Sequence, residues 1–433
     1  MLQTSSQPDW PVSLWRQTET LTPPNPVLTS LVETDVTIIG AGLTGVSSAL
    51  FLSEAGLNVT VLDAKDVGWG ASGRSGGQVN PMLPFNSVER VRKLVGDAFF
   101  EKITHASLNS ADDLFALIRK YQIRCGARQT GWLRVLHSNR ARKSAETDVA
   151  SWNRYGADMQ IIDGAEVKRL SGTNHYKTGV VTPRGGAVQP YELTCGLARA
   201  AESAGAHFYG QSPVLKIERS GEAWVCTTPQ GSVTSSWVLI ATNGYTKDVV
   251  PGLANTIIPM NPIQVATEPL DKSIADTILP EGHTISDSRR IIMYARREPD
   301  NRLVYGGLGR KKPDGTLTGF DWLKRDAVSV FPQLSGVRWT YEWGGTIAIT
   351  GDHLPHIHQP KQNMLIGLGY NGRGVAMSVV VGRSLAERVL GKGTSDLPLP
   401  LTDIKPFPFR SAKLAGMGTA IWLMRLLDRI ESR

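Results

Sequence analysis

Early in the chain the spacing of apolar residues changes twice. Residues 36–39, Val-Thr-Ile-Ile, are a β-branched run suited to a buried parallel strand. Helical spacing follows over residues 43–55, and Gly56 is placed to end that helix. Residues 59–62, Val-Thr-Val-Leu, predict a second strand. Farther on, Phe100, Ile103, Leu108, Leu114, Leu117 and Ile118 share one stripe of a helix over residues 99–121. Residues 131–136 read as a strand and residues 138–155 as a polar helix. Residues 185–190 open a further helix that Gly205 ends, and strands follow at 215–217, 223–227 and 237–241.

The pattern differs over residues 246–342. Short strand-like pieces at 261–267, 291–294 and 303–305 alternate with turns, and residues 320–330 carry a short helix. This predicts a mostly antiparallel sheet, a separate substrate domain inserted in the first unit. Residues 364–374 are a second strand and glycine-rich loop, leading into a helix over 375–390. The expected division is an extended N-terminal segment at 1–34, with Pro23-Pro24-Asn25-Pro26 excluding helix and Trp10 and Trp15 as anchors on the body. A nucleotide-binding domain takes 35–95, 156–245 and 343–395, the substrate domain 96–155 and 246–342, and a tail 396–433. In the tail Leu414, Met417, Ile421 and Met424 form an apolar stripe that Leu423, Leu427 and Ile430 widen. Lys413, Arg425, Arg429 and Arg433 line the rest, so the helix either docks on the body or meets a membrane surface or partner.

Composition narrows the classes. No apolar run approaches the roughly 18 residues of a membrane span, and the polar residues 1–9 lack the core of a signal peptide. Three scattered cysteines, Cys125, Cys195 and Cys226, offer neither a disulfide framework nor metal-ligand spacing. A reducing cytoplasm is therefore expected, with no metal. The net charge of +8 is spread along the chain, which favours steering of a small anion over nucleic-acid binding.

The chemistry concentrates in the glycines. Gly40, Gly42 and Gly45 have G-x-G-x-x-G spacing between the first strand and its helix, with Leu43 and Thr44 at the helix start. Their roles are a tight turn, close approach to a pyrophosphate and close helix–strand packing. Asp63, followed by Ala64, ends the second strand about 20 residues on, where a carboxylate can bind ribose hydroxyls and would repel a 2′-phosphate. The spacing alone does not separate FAD from NAD. Five glycines between Gly68 and Gln78 forbid a regular element and expose backbone N–H groups.

Together these blocks resemble the D-amino acid oxidase superfamily of FAD-dependent amine oxidoreductases. The resemblance rests on the first glycine motif with its acid, Gly70-Ala-Ser-Gly-Arg74 with Gly76-Gly77-Gln78, Gly186-Ala-Val-Gln-Pro190, Ala241-Thr-Asn-Gly-Tyr245 and Gly369-Tyr-Asn-Gly-Arg-Gly374. Ser13-Leu-Trp15 and the 68–74 stretch look most like the γ-glutamylputrescine oxidase branch. Ser75 stands where the family usually has Asn.

The resemblance implies an α/β fold, α+β overall, with a Rossmann-like FAD-binding domain interleaved with the antiparallel substrate domain. It implies non-covalent FAD, because residues 343–376 hold no cysteine. It implies amine oxidation by hydride transfer from the carbon next to nitrogen, with oxygen as acceptor. Cofactor contacts would fall on the first motif and Asp63, on Ser72, Arg74, Gly76, Gly77 and Gln78, and on Thr242 and Asn243. Gly344, Gly345, Gly372, Arg373, Gly374 and Val375 would face the flavin's pyrimidine side. Tyr294, Arg310, His353 and Tyr370 are the substrate candidates. The bland alternatives are a loop-satisfying histidine for His353 and a solvated basic turn for Arg310.

Sarcosine oxidases carry a lysine on a strand over the flavin, and residues 302–306 hold none. Arg310, Lys311 and Lys312 are alternative sources of charge for oxygen. Two other readings are a membrane-associated dehydrogenase of pipecolate or proline passing electrons to quinone at the inner face of the membrane, and a non-catalytic flavoprotein subunit of a complex.

Overall fold

The computed structural model describes residues 10–18, 24–247 and 249–431. Residues 1–9, Pro23 and Arg433 lie outside them. The first strand, Leu31–Ile39, starts earlier than its apolar run, and its buried half is the predicted 36–39. It pairs in parallel with Ser232–Ile240 on one side and Val59–Leu62 on the other, with Ile39 opposite both Ile240 and Leu62. His207–Tyr209 and Met364–Leu368 extend the parallel core outward. Antiparallel strands Lys216–Ser220, Ala223–Thr227 and His356–Lys361, with Leu401–Thr402, complete nine. Val36, Ile38, Val59, Val61, Val238 and Leu239 are all fully buried, as a doubly covered parallel sheet requires.

Leu43–Glu54 and Gly374–Val389 cross this sheet backbone against backbone. A Cβ on Gly382 would lie 2.8 Å from Thr44 O, and Ser48 Oγ donates to Gly382 O at 3.0 Å. Each helix follows a strand of the parallel core, so both bring their N-terminal ends to one side of the sheet.

The second sheet has eight strands in the order Trp339–Gly344, Pro262–Thr267, Leu303–Leu308, Tyr294–Arg297, Thr284–Asp287, Trp132–Val135, Thr178–Thr182 and Gln160–Asp163. Every pairing is antiparallel except Thr284–Asp287 with Trp132–Val135. Helices Phe320–Val330 and Gly164–Ser171 bury their apolar faces in its core. Four segments sit wholly or, for Trp339–Gly344, partly outside the division expected above. Strands at 160–163 and 178–182 join this sheet, because Trp132–Val135 offers an edge to 178–182, which in turn pairs with 160–163. Trp339–Gly344 joins it too, beside Pro262–Thr267. Helix Asp97–Lys120 buries its predicted stripe in the first core, with Val46, Leu50 and Val375. The strand expected at 291–294 begins only at Tyr294, since Met293 N donates to the Asp287 side chain in the preceding turn.

Candidate cofactor and substrate site

Gly40 has a left-handed φ of +104°, and a Cβ there would sit 3.0 Å from Ala241 O. A Cβ on Gly45 would lie 1.9 Å from Gly40 O, so only glycine lets this helix rest on its strand. Gly42 is the N-cap and has no side chain to satisfy the first N–H groups. Leu43 N donates to Ser72 Oγ at 2.9 Å, which ties the 68–78 loop to the helix start. The result is a glycine cradle with an anion-favouring helix end. Asp63 closes its edge: its carboxylate accepts from Ala41 N and Lys65 N, both at 2.8 Å, and burial pushes its pKa up to about 6. Ala64 beside it is exposed.

Arg74 pins the loop across the molecule. Its guanidinium donates to Gly70 O, to Gly344 O at 3.1 Å and to Tyr245 Oη at 2.6 Å, and it lies 4.6 Å over the Trp69 ring. Tyr245 Oη also accepts from Thr346 N. Gln78 Nε2 reaches the second sheet at Ile285 O and Ala295 O. Thr242 and Thr246 share a hydroxyl hydrogen bond, and Asn243 Oδ1 accepts from Gly369 N at the second glycine loop. Gly345 passes close to Ala71, with 3.4 Å from a built Cβ to Ala71 Cα. Gly372 has φ +86° and no atom within 4 Å of its Cβ position, so backbone lies open before the helix that starts at Gly374 and Val375. The structure thus gathers the 40–45, 70–78, 242–245, 344–345 and 369–375 segments around one place.

The substrate candidates separate. Tyr294 lies between two glycines: built Cβ atoms on Gly76 and Gly306 would fall 2.6 and 2.1 Å from its ring. Its hydroxyl accepts from Gln264 Nε2, and burial raises its pKa, so it stays a neutral phenol. Tyr370 is buried and shares a hydrogen bond of 2.5 Å with Thr44 Oγ1, so it joins the second loop to the first helix. His353 has φ +61°, packs against Phe85 and offers its carbonyl to Asn86. Burial lowers its pKa. Arg310 is exposed on a hairpin with Lys311 and donates to Gly418 O of the C-terminal helix.

Arg373, expected at the cofactor, reaches toward the second sheet. Its guanidinium stands 4.3 Å over the Trp132 ring, and no hydrogen bond or ion pair meets it among the described residues. Burial, and then the nearby Arg134, push its pKa down to about 9, which leaves it charged at neutral pH. Arg134 lies two residues from Trp132 on one strand, hence on the same sheet face, and among the described residues has only Asp148, at 3.8 Å, as an ion-pair partner.

Two positioning residues, Arg296 and Trp343, had no role in the sequence reading, and Trp15, read there as an anchor on the body, meets both. Arg296 is fully buried, pairs with Glu298, and donates to Gly77 O at 2.9 Å and to Val188 O. Trp15 lies 5.0 Å from its guanidinium and donates Nε1 to Ser75 O at 2.8 Å. Trp343 meets Trp15 edge-on and donates to Arg74 O. Only Trp15 gave a signal, as a heavy residue in an otherwise polar segment. Arg296 shares a sheet face with Tyr294, two residues before it on one strand, yet an arginine there reads as solvent-facing.

A family model described as "DAO: FAD dependent oxidoreductase" matches residues 35–388. The chain belongs to the DAO family of FAD-dependent oxidoreductases. This DAO-family chain is 30% identical to the gamma-glutamylputrescine oxidoreductase of Escherichia coli, over 94% of this chain and 96% of that one. It is 32% identical to a probable oxidoreductase OrdL of Haemophilus influenzae, over 84% of this chain and 85% of that one. A crystal structure of glycine oxidase from Geobacillus kaustophilus has the same fold, with TM-score 0.72 at 20% identity over 86% and 99% of the two chains. The DAO-family protein is thus an enzyme acting on CH–NH donors. Its residues fit FAD: the uncapped cradle at Gly42 suits a pyrophosphate, and the recessed Asp63 carboxylate suits a ribose.

Proposed function

We propose that this enzyme oxidises a small amine bearing an anionic group, of the γ-glutamyl-amine, amino-acid or imino-acid kind, with oxygen as acceptor. FAD, when bound, supplies the redox chemistry by accepting a hydride from the carbon next to nitrogen. The imine product then hydrolyses in water. Gly40, Gly42, Leu43, Thr44, Gly45 and Asp63 would hold the pyrophosphate and ribose. Ser72 and Arg74 would lie beside it, and the uncapped helix start at Gly374 would favour negative charge near the flavin.

The observation that carries the substrate class is the Arg373 guanidinium over Trp132 with no acceptor among the described residues. A recessed cation without a partner is costly, and a substrate carboxylate would complete it. Arg134 adds a second positive charge on the same face. These cations also disfavour the ammonium form of the substrate, whose free pKa is about 10.4 for a lysine-like amine. No strong protein base is then needed. Tyr294, which burial keeps a neutral phenol and which Gln264 holds by a hydrogen bond, would orient the amine.

Non-covalent attachment is supported by the thiols. Cys125, Cys195 and Cys226 are buried with pKa values pushed up to about 12, so none is a ready nucleophile. One observation favours a second reading in which a quinone takes the electrons. Strand Leu303–Leu308 carries no lysine, and Arg310 and Lys311 point their hairpin to solvent and the C-terminal helix.

The test of the substrate class is Arg373→Ala. KM for a carboxylate-bearing amine should rise roughly 10- to 100-fold, the loss of a charge-assisted hydrogen bond. FAD content and the rate with a neutral amine should change little. An unchanged KM for the anionic amine would sink the assignment. Mixing photoreduced enzyme with air-saturated buffer separates the two acceptors: reoxidation over many minutes, with fast reoxidation by a soluble quinone, selects the second.

A further inference from the structure

The C-terminal helix Arg410–Glu431 is docked by only part of its apolar surface. Leu414, Met417 and Gly418 are half-buried and Ile421 is buried, as expected. Beyond them the contact is polar. Asp428 is buried and accepts from Arg290 N and Ile291 N, and Glu431 pairs with Arg290. Arg425 lies 3.9 Å over the Trp322 ring and donates to Leu308 O. These contacts rotate the large apolar residues outward. Trp422 is 62% exposed and Ile430 59%, and Leu423, Met424, Leu426 and Leu427 are exposed with them. Large apolar residues are normally exposed singly, not six within nine positions.

The charges on this helix are sorted as well. Its acids, Asp428 and Glu431, are turned to the body and paired. Its exposed face keeps Lys413 and Arg429. A second copy of this face would bring like charges together with no acid to answer them. A surface that is apolar below and anionic above suits both sets. No described helix is long and apolar enough to cross a membrane, so the helix would lie in the interface.

We propose that the outward face of this helix binds the surface of an anionic lipid bilayer, with Trp422, Leu426, Leu427 and Ile430 inserted and Lys413 and Arg429 at the headgroups. The body stays docked through Asp428, Glu431 and Arg425. This inference is independent of the substrate assignment, since it concerns a face that holds none of the site residues.

Purified holoenzyme is sedimented with vesicles of phosphatidylcholine alone or with one third phosphatidylglycerol. Binding is expected only to the anionic vesicles, and raised salt should weaken it. Trp422→Ser/Leu426→Gln/Leu427→Gln and, separately, Lys413→Gln/Arg429→Gln should each lower vesicle binding at least tenfold. Solution activity and FAD content should be unchanged, because these side chains are exposed. Absence of binding to anionic vesicles, or equal binding by either variant, overturns the proposal. So does a dimer of the wild type that the apolar variant disperses, which would assign the face to a second copy.

Discussion

Asp63 shows how one carboxylate can report on cofactor binding. Burial raises its pKa from 3.8 to about 6. In the apoprotein its contribution to stability is present below the ordinary value and is lost as pH rises through about 6. Ribose hydroxyls donating to the carboxylate favour the ionised form, so FAD affinity should increase as pH rises through the same range. Asp63→Asn should weaken FAD binding roughly 10- to 100-fold at pH 8 and flatten that dependence, measured by fluorescence titration at pH 5 and 8. Equal pH dependence in the variant would place the ribose elsewhere. The acid itself was legible from its distance to the glycine motif. Its raised pKa was not, because burial is set by His207–Tyr209 and the 63–66 turn, which meet it only in the fold.

Among elements, those with a local cause were readable and those defined by partners were not. The 43–54, 97–120 and 320–330 helices lie close to their apolar spacing. Strands 160–163 and 178–182 gave no sign of which sheet they join, since either sheet accepts a short β-branched run. The C-terminal helix was legible as amphipathic, but its orientation depends on Arg290, 138 residues before Asp428, and nothing local to either residue marks the pairing. The adjoining strands Tyr294–Arg297 and Leu303–Leu308 carry the next expectation. Their register sets Tyr294 opposite Gly306, and a Cβ on Gly306 would overlap the phenol. Gly306→Ala should therefore displace Tyr294 and cost about 1–3 kcal/mol of stability. It should lower kcat/KM at least tenfold in steady-state assays while FAD stays bound. Retained kcat/KM would show that Tyr294 does not orient the substrate.

At the scale of the whole molecule, the cofactor site is assembled from segments that span most of the chain, with no cysteine in its glycine loops. Acid precipitation should consequently release all FAD into the supernatant; flavin colour remaining with the pellet would contradict non-covalent attachment. The Trp15 contacts have a consequence for synthesis. Trp15 leaves the ribosome long before its partners, for it packs on Arg296 and Trp343 and grips Ser75 O. Its berth does not exist until Trp343 has emerged, so the 68–78 loop cannot be clamped before then. FAD loading should follow the emergence of Trp343. Nascent chains stalled before Trp343 should fail to retain labelled FAD, and chains stalled after residue 431 and extended by a linker should retain it.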